Sequence, residues 1–215
     1  GGAGVGAGVG AAWNAAEVPA LPAGVVHAAA AWLRGRLYLT GGSSGTKRVL
    51  CWDPTAKPGA GWRRVAELLA GRYGHAAVVL GGSLYVLGGH GGDRCLANVE
   101  RYDSDQDTWV SVAPMPTAKG YFAAAVLDDR IIAVGGWDGN NDLRSCARYD
   151  PVADKWEALP NLPTARCGLA ATVLGGRLWV TGGYGRGERT TVEVFNPATN
   201  AWDQSKAPMT TDRCY

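Results

Sequence analysis

Leu84-Tyr85-Val86-Leu87-Gly88-Gly89 is an apolar run closed by a glycine pair, and the chain writes versions of it four times. The others run from Leu37 to Gly42, Ile131 to Gly136 and Leu178 to Gly183. The first glycines of the pairs stand at 41, 88, 135 and 182, a constant step of 47 residues, so the chain is a repeat protein.

Around each pair the unit has the same parts. A small-residue apolar run such as Ala76-Ala77-Val78-Val79-Leu80 and a turn, Gly81-Gly82-Ser83, lead into the run that ends in the glycines. Two short apolar runs across a glycine turn read as a β-hairpin. Downstream, Val99-Glu100-Arg101-Tyr102-Asp103 alternates as a half-buried strand does. Seven residues after Tyr102 comes Trp109, opening a fourth strand that closes on Ala113-Pro114-Met115, and the same step of seven links Tyr149 to Trp156 and Phe195 to Trp202. In the first unit the step from Trp52 to Trp62 is ten, because Lys57-Pro58-Gly59-Ala60-Gly61 lengthens the turn.

Four strands per unit of roughly 50 residues is the signature of a β-propeller blade. The units resemble kelch repeats, through the glycine pair, the spaced Tyr and Trp, and phrases such as Asn98-Val99-Glu100-Arg101-Tyr102-Asp103 with Val112-Ala113-Pro114-Met115. Trp52 stands where Tyr is usual, and Phe195-Asn196-Pro197 stands for Tyr-Asp-Pro. The expected fold is therefore all-β: four-stranded antiparallel blades at about 24–66, 72–115, 119–162 and 166–209, with partial strands at both ends. Trp13-Asn14-Ala15-Ala16-Glu17-Val18-Pro19 reads as the outer strand of a preceding blade, and Thr211-Asp212-Arg213-Cys214-Tyr215 as a new first strand. With no initiator Met, the chain reads as a piece of a larger, six-bladed propeller, whose four blades form an open arc or a strained ring. Residues 1–12 read as a flexible Gly/Ala-rich lead-in, since they lack the basic segment of a signal peptide.

Geometry assigns the repeated residues structural duties. A glycine pair closing an inner strand suits a backbone that needs positive φ or close approach to a neighbour. The Trp and Tyr, apolar bodies with one polar handle, suit the seams between blades. Arg72, Lys119 and Arg166 recur at the start of the first strand and are expected to satisfy backbone carbonyls or an acidic partner between blades. His27 and His75 fall at nearly the same phase of successive first strands, and a structural hydrogen bond is expected for each.

Bulk properties exclude several classes. There are 21 basic against 19 acidic residues and no run of one sign, so neither nucleic acid nor a membrane surface is an expected partner. No run of 18 apolar residues offers a membrane span. The five cysteines, Cys51, Cys95, Cys146, Cys167 and Cys214, are odd in number without CxxC pairing, which favours a reducing, cytoplasmic compartment with no structural disulfide or zinc. They read as small hydrophobes. Cys167 beside Arg166 carries a redox-sensing alternative, because a neighbouring cation lowers a thiol's pKa.

Conventional catalytic motifs are missing: no GxSxG, no phosphate-binding loop, no HExxH. Gly89-His90-Gly91-Gly92 joins two strands and lacks the helix N-terminus that would present aligned amides to phosphate. No catalytic residue, cofactor or metal is expected.

The residue after each glycine pair varies while its frame stays fixed: Ser43, His90, Trp137 and Tyr184. Loops on a rigid scaffold concentrate binding residues. Resemblance to kelch proteins places these, with Tyr73 and Tyr121 after the repeated cation, near one end of the propeller. It implies a protein-interaction module that binds a partner protein or peptide through Tyr73, His90, Arg94, Tyr121, Trp137, Asp138, Asn140, Tyr184 and Arg186. Many such domains resemble the substrate-receptor part of BTB–kelch adaptors for cullin-based ubiquitin ligases, a role that would need a domain ahead of Gly1. Two alternatives are a kelch-type carbohydrate-active enzyme, like a sugar oxidase or a sialic-acid epimerase, and an actin-associated scaffold.

Overall fold

The computed structural model describes residues 19–21, 25–57, 60–185, 190–204 and 209–211. The lead-in, the Trp13–Val18 segment, Arg186 and the last four residues, Cys214 among them, lie outside them. The described residues form four separate four-stranded antiparallel sheets, each a meander in chain order. Blade 1 comprises β1 (Ala29–Leu33), β2 (Arg36–Thr40), β3 (Val49–Trp52) and the two-residue β4 (Arg63–Arg64). Blade 2 comprises β5 (Ala76–Leu80), β6 (Ser83–Leu87), β7 (Val99–Asp103) and β8 (Thr108–Val112). Blade 3 is β9 (Ala123–Leu127), β10 (Arg130–Val134), β11 (Cys146–Asp150) and β12 (Lys155–Leu159). Blade 4 is β13 (Ala170–Leu174), β14 (Arg177–Thr181), β15 (Val192–Asn196) and β16 (Ala201–Gln204). This is the propeller arrangement that the period of 47 residues predicts. Among the described residues no helix is long and apolar enough to cross a membrane.

The cores lie between blades. One cluster joins Leu33, Tyr38 and Cys51 of blade 1 to Leu84, Val86 and Tyr102 of blade 2. A second packs Val78, Tyr85 and Leu87 against Ile131, Ala133 and Tyr149, and a third packs Ile132, Val134 and Cys146 against Leu178, Val180 and Phe195. First strands accordingly pack in the order β1, β5, β9, β13, with no comparable packing between β13 and β1 among the described residues. The outward flanks show it: Trp32 is 48% and Leu174 66% exposed.

The seven-residue step does what its spacing implies. Tyr102 and Trp109, Tyr149 and Trp156, and Phe195 and Trp202 sit directly opposite each other on the outer strand pairs. Each Trp then stitches its blade to the one before, its indole N–H donating to Ala66 O from Trp109 (3.0 Å), Ala113 O from Trp156 (2.9 Å) and Pro160 O from Trp202 (2.7 Å). Trp62 donates likewise to Pro19 O (3.2 Å), so Pro19 occupies the seat that an outer strand's residue takes elsewhere. The tyrosines complete the clamp. Tyr102 donates to Asp107 Oδ1 (2.6 Å), which also accepts the N–H of Ala66 (2.9 Å), and Tyr149 and Asp154 hold Ala113 in the same way (2.7 and 2.8 Å). Trp109 is buried at 6% exposure, whereas Trp156 is partly buried, its ring lying on the rim of its cluster.

Both glycines of a pair are needed. Gly88 and Gly89 have φ of 54° and 95°, and a Cβ on Gly89 would lie 2.8 Å from Tyr73 O and 2.7 Å from His75 Cβ. A Cβ on Gly88 would lie 2.7 Å from Lys119 O, the carbonyl that accepts the N–H of Gly89 (2.9 Å), as Arg72 O accepts from Gly42 and Arg166 O from Gly136. The repeated cation thus bridges blades through its backbone, while its side chain stays in its own blade. Arg72 Nη1 donates to Gly88 O (2.7 Å) and Asn98 O (3.2 Å), and its Nη2 pairs with Glu100. Arg166 repeats this with Gly182 O (3.0 Å), Thr191 O (3.3 Å) and Glu193 (2.9 Å). The expected acidic partner exists in both, but within a blade, because the side chain turns back across the top of strands two and three.

The histidines do not share a phase. His75 falls 48 residues after His27, one more than the period, and that single residue sends the two to different environments. His75 is buried with Nε2 on Thr40 Oγ1 at 2.8 Å, the structural bond expected, and burial pulls its pKa down to about 3. His27 is exposed and belongs to the axis.

Candidate functional site

One position per blade builds the axial wall. His27, Gly74, Tyr121 and Gly168 follow one another at 47 residues, and all have φ between 52° and 61°. Gly74 N–H donates to His27 O (2.9 Å), Tyr121 N–H to Gly74 O (2.7 Å) and Gly168 N–H to Tyr121 O (2.7 Å), a ladder running from blade to blade. Left-handed φ is costly for a residue with a Cβ, about 1–2 kcal/mol. Blades 2 and 4 avoid the cost with glycine, whereas Tyr121 bears it and lays its ring over Gly74, which leaves no room there for a Cβ (2.8 Å to the ring). Backbone strain of this kind concentrates at functional sites.

One step outward, the residue after the cation bridges the residue after the glycine pair: Tyr73 with His90, Gly120 with Trp137, Cys167 with Tyr184. Tyr73 N–H donates to His90 O (3.1 Å) and His90 N–H to Tyr73 O (2.8 Å), and the Tyr73 hydroxyl meets His90 Nδ1 at 3.1 Å. The rings continue as a stack. Centroid separations are 5.2 Å for Tyr73–His90 and 5.8 Å for His90–Trp137, with interplanar angles of 29° and 16°. His27 and Tyr121 meet edge to face at 5.5 Å.

These rings surround a cavity of about 630 Å³, open at one end of the axis and lined by Tyr73, His90, Tyr121, Trp137, Asn140, Asp142, Cys167 and Tyr184. Six residues singled out in the sequence come together here: Tyr73, His90, Tyr121, Trp137, Asn140 and Tyr184. Arg94 is exposed off the wall. Asp138 is occupied locally, its Oδ1 accepting the N–H groups of Asn140 and Asn141 (both 2.8 Å), and those bonds hold its carboxyl below the usual range. Arg186 lies outside the described residues.

Sequence reasoning missed Asp142, and it singled out Cys167 only as a thiol beside Arg166, not as part of this wall. Both were findable by phase: Cys167 stands two periods after Tyr73, and Asp142 one period after Cys95, which bridges His90 as Asp142 bridges Trp137. Asp142 is the one charged side chain among the described residues lining the cavity. Cys51, Cys95, Cys146 and Cys167 are buried, as small hydrophobes are, and none of the four is in a disulfide. Among the described residues no three His, Cys, Asp or Glu side chains gather as metal ligands would.

No curated protein matches the chain significantly. Among solved structures, 260 chains match. One is the structure of YjhT, with a TM-score of 0.79 at 18% identity, covering 92% of this chain and 69% of that one, a likeness that shows the fold. The sequence model described as the KLHDC2/KLHL20/DRC7 Kelch-repeats domain matches residues 26–213, and the chain belongs to that kelch-repeat family.

Proposed function

We propose that the chain is a protein-interaction module whose axial cavity receives a side chain or terminus of a partner protein or peptide. The observation that carries this reading is the cavity itself: about 630 Å³, walled by Tyr73, His90, Tyr121, Trp137 and Tyr184, with Tyr184 51% exposed at its mouth. Aromatics with a polar edge supply large contact area at small rotamer cost and are enriched among binding hot spots. Tyr121, kept in a conformation that two sister blades give to glycine, supports a role for its ring beyond packing. Asp142 gives the cavity a negative point, so a basic or amide side chain suits it better than a carboxylate. In this reading the site binds and does not turn over. The finer role, substrate receptor of a cullin-based ubiquitin ligase, draws on kelch kinship alone and requires a domain outside residues 1–215; co-purification of a cullin with the full gene product tests it.

The test of binding uses a displayed random-peptide library selected on the purified chain. The reading expects peptides enriched on the wild type, with Kd raised roughly thirtyfold, about 2 kcal/mol, by Trp137→Ala or Tyr184→Ala at unchanged Tm. Asp142→Asn should weaken binding most for basic peptides. Peptides that bind all three variants as well as the wild type would place the interaction surface elsewhere.

A further inference from the structure

The buried cation at the head of the blade has a carboxylate partner in blades 2 and 4, and blade 3 departs from the pattern. Arg72 pairs with Glu100 and Arg166 with Glu193, all four side chains at most 3% exposed. The register of the inner strands puts Glu100 opposite Val86 and Glu193 opposite Val180. At the same place in blade 3, opposite Ala133, stands Ala147. Lys119 holds the cation's position and is just as buried, at 2% exposure. Its Nζ donates to Ser145 O (3.0 Å) and Ser145 Oγ (2.8 Å), which engages two of three N–H bonds. No carboxylate pairs with it among the described residues. Cys146 beside it is no substitute, since burial pushes its thiol up to about 11 and leaves it neutral at pH 7. Lys119 itself, pulled down by burial to about 8, is still mostly protonated there.

The absent carboxylate leaves space. A cavity of about 120 Å³ is lined by Lys119, Ser145, Cys146, Ala147, Ala133 and Thr117 among others. Thr117 falls one period after Ala70, whose N–H donates to Glu100 in blade 2 (3.0 Å). The cavity therefore occupies the place where the sister blades seat their carboxylates. A buried ammonium without a compensating charge costs several kcal/mol, and an ion that enters beside it recovers part of that cost.

We infer that blade 3 holds a small monovalent anion, chloride-sized, in the cavity between Lys119 and Ala147, where it supplies the negative charge that Glu100 and Glu193 supply in blades 2 and 4. The site is separate from the axial cavity and independent of partner binding. It makes the stability of the propeller respond to halide.

The experiment compares thermal unfolding of the whole chain at pH 7 in sodium chloride and in sodium gluconate of equal ionic strength, gluconate being too large for the cavity. The wild type should melt higher in chloride, by on the order of 5 °C at saturation. Ala147→Glu, which installs the sister blades' carboxylate, should melt at the same temperature in both salts, and Lys119→Met, which removes the charge at similar volume, should do so too. In a bromide-soaked crystal, anomalous scattering should show the ion within hydrogen-bond distance of Lys119 Nζ. Equal melting of the wild type in the two salts overturns the inference. So does a chloride effect that survives in Lys119→Met, the variant that decides the matter should Ala147→Glu fail to fold.

Discussion

Glu100→Ala is the most informative single change to the framework of this propeller. Glu100 and Arg72 are both 0% exposed, and the carboxylate does three things at once: it neutralises Arg72 and accepts the N–H groups of Leu69 (2.7 Å) and Ala70 (3.0 Å). Removing it strands a buried guanidinium and two amides in the segment that leads from blade 1 into blade 2. Breaking one side of a buried pair costs about 3–5 kcal/mol. At about 2–4 °C per kcal/mol for a chain of this size, Tm should fall by roughly 6–20 °C. Glu157→Ala is the internal control, because its pair with Arg148 is 57% and 34% exposed on the two sides and should contribute under about 1 kcal/mol. The double variant Arg72→Met with Glu100→Leu removes both charges and should recover most of the loss, since apolar replacements of buried ion pairs are often neutral. The assay is calorimetric unfolding of all four proteins in one buffer. A Glu100→Ala shift no larger than that of Glu157→Ala, or a double variant no more stable than Glu100→Ala, would refute the reasoning.

Three further outcomes are expected. Trp109→Phe keeps most of the buried area but leaves Ala66 O without its 3.0 Å indole donor, a cost of about 1–3 kcal/mol, while Trp109→Ala costs about 3–5; a Trp109→Phe variant as stable as the wild type in urea unfolding would show that the seam bond is immaterial. Gly89→Ala should destabilise by about 1–3 kcal/mol because φ of 95° and the 2.8 Å approach to Tyr73 O both exclude a Cβ, and an unchanged Tm would contradict the close-approach argument. His75, held neutral in the fold with a pKa of about 3, takes up its proton only on unfolding once the pH drops below its ordinary value, so stability should decline as pH falls from about 6.5 toward 5. His75→Gln should flatten that window, and a slope identical to the wild type would assign it to other groups.

The framework was legible because it is written in short-range, repeated constraints. A period of 47 residues, glycine pairs at positive φ and an aromatic step of seven each determine local backbone or a directly opposed strand pair, and four copies remove ambiguity. Convergence was harder to read, since it depends on how blades rotate about the axis and which way each loop residue points. Asp138 and Asp142 differ by four positions on one loop, yet the first is taken up by an Asx turn and the second reaches the cavity wall. His27 and His75 look alike as sequence and differ by one residue of phase, enough to put one on the axis and the other inside a blade. The cation at each blade head announced itself by repetition. Whether it had a counter-ion was decided by a residue 27 or 28 positions away, through strand register: Glu100 and Glu193 in two blades, Ala147 in the third. Sequence alone determined the blades and their seams, because those interactions are local to one pleat or one turn; the axial cavity and the unpaired Lys119 needed the packed structure, because they are made by residues that only the stacking of strands and blades brings together.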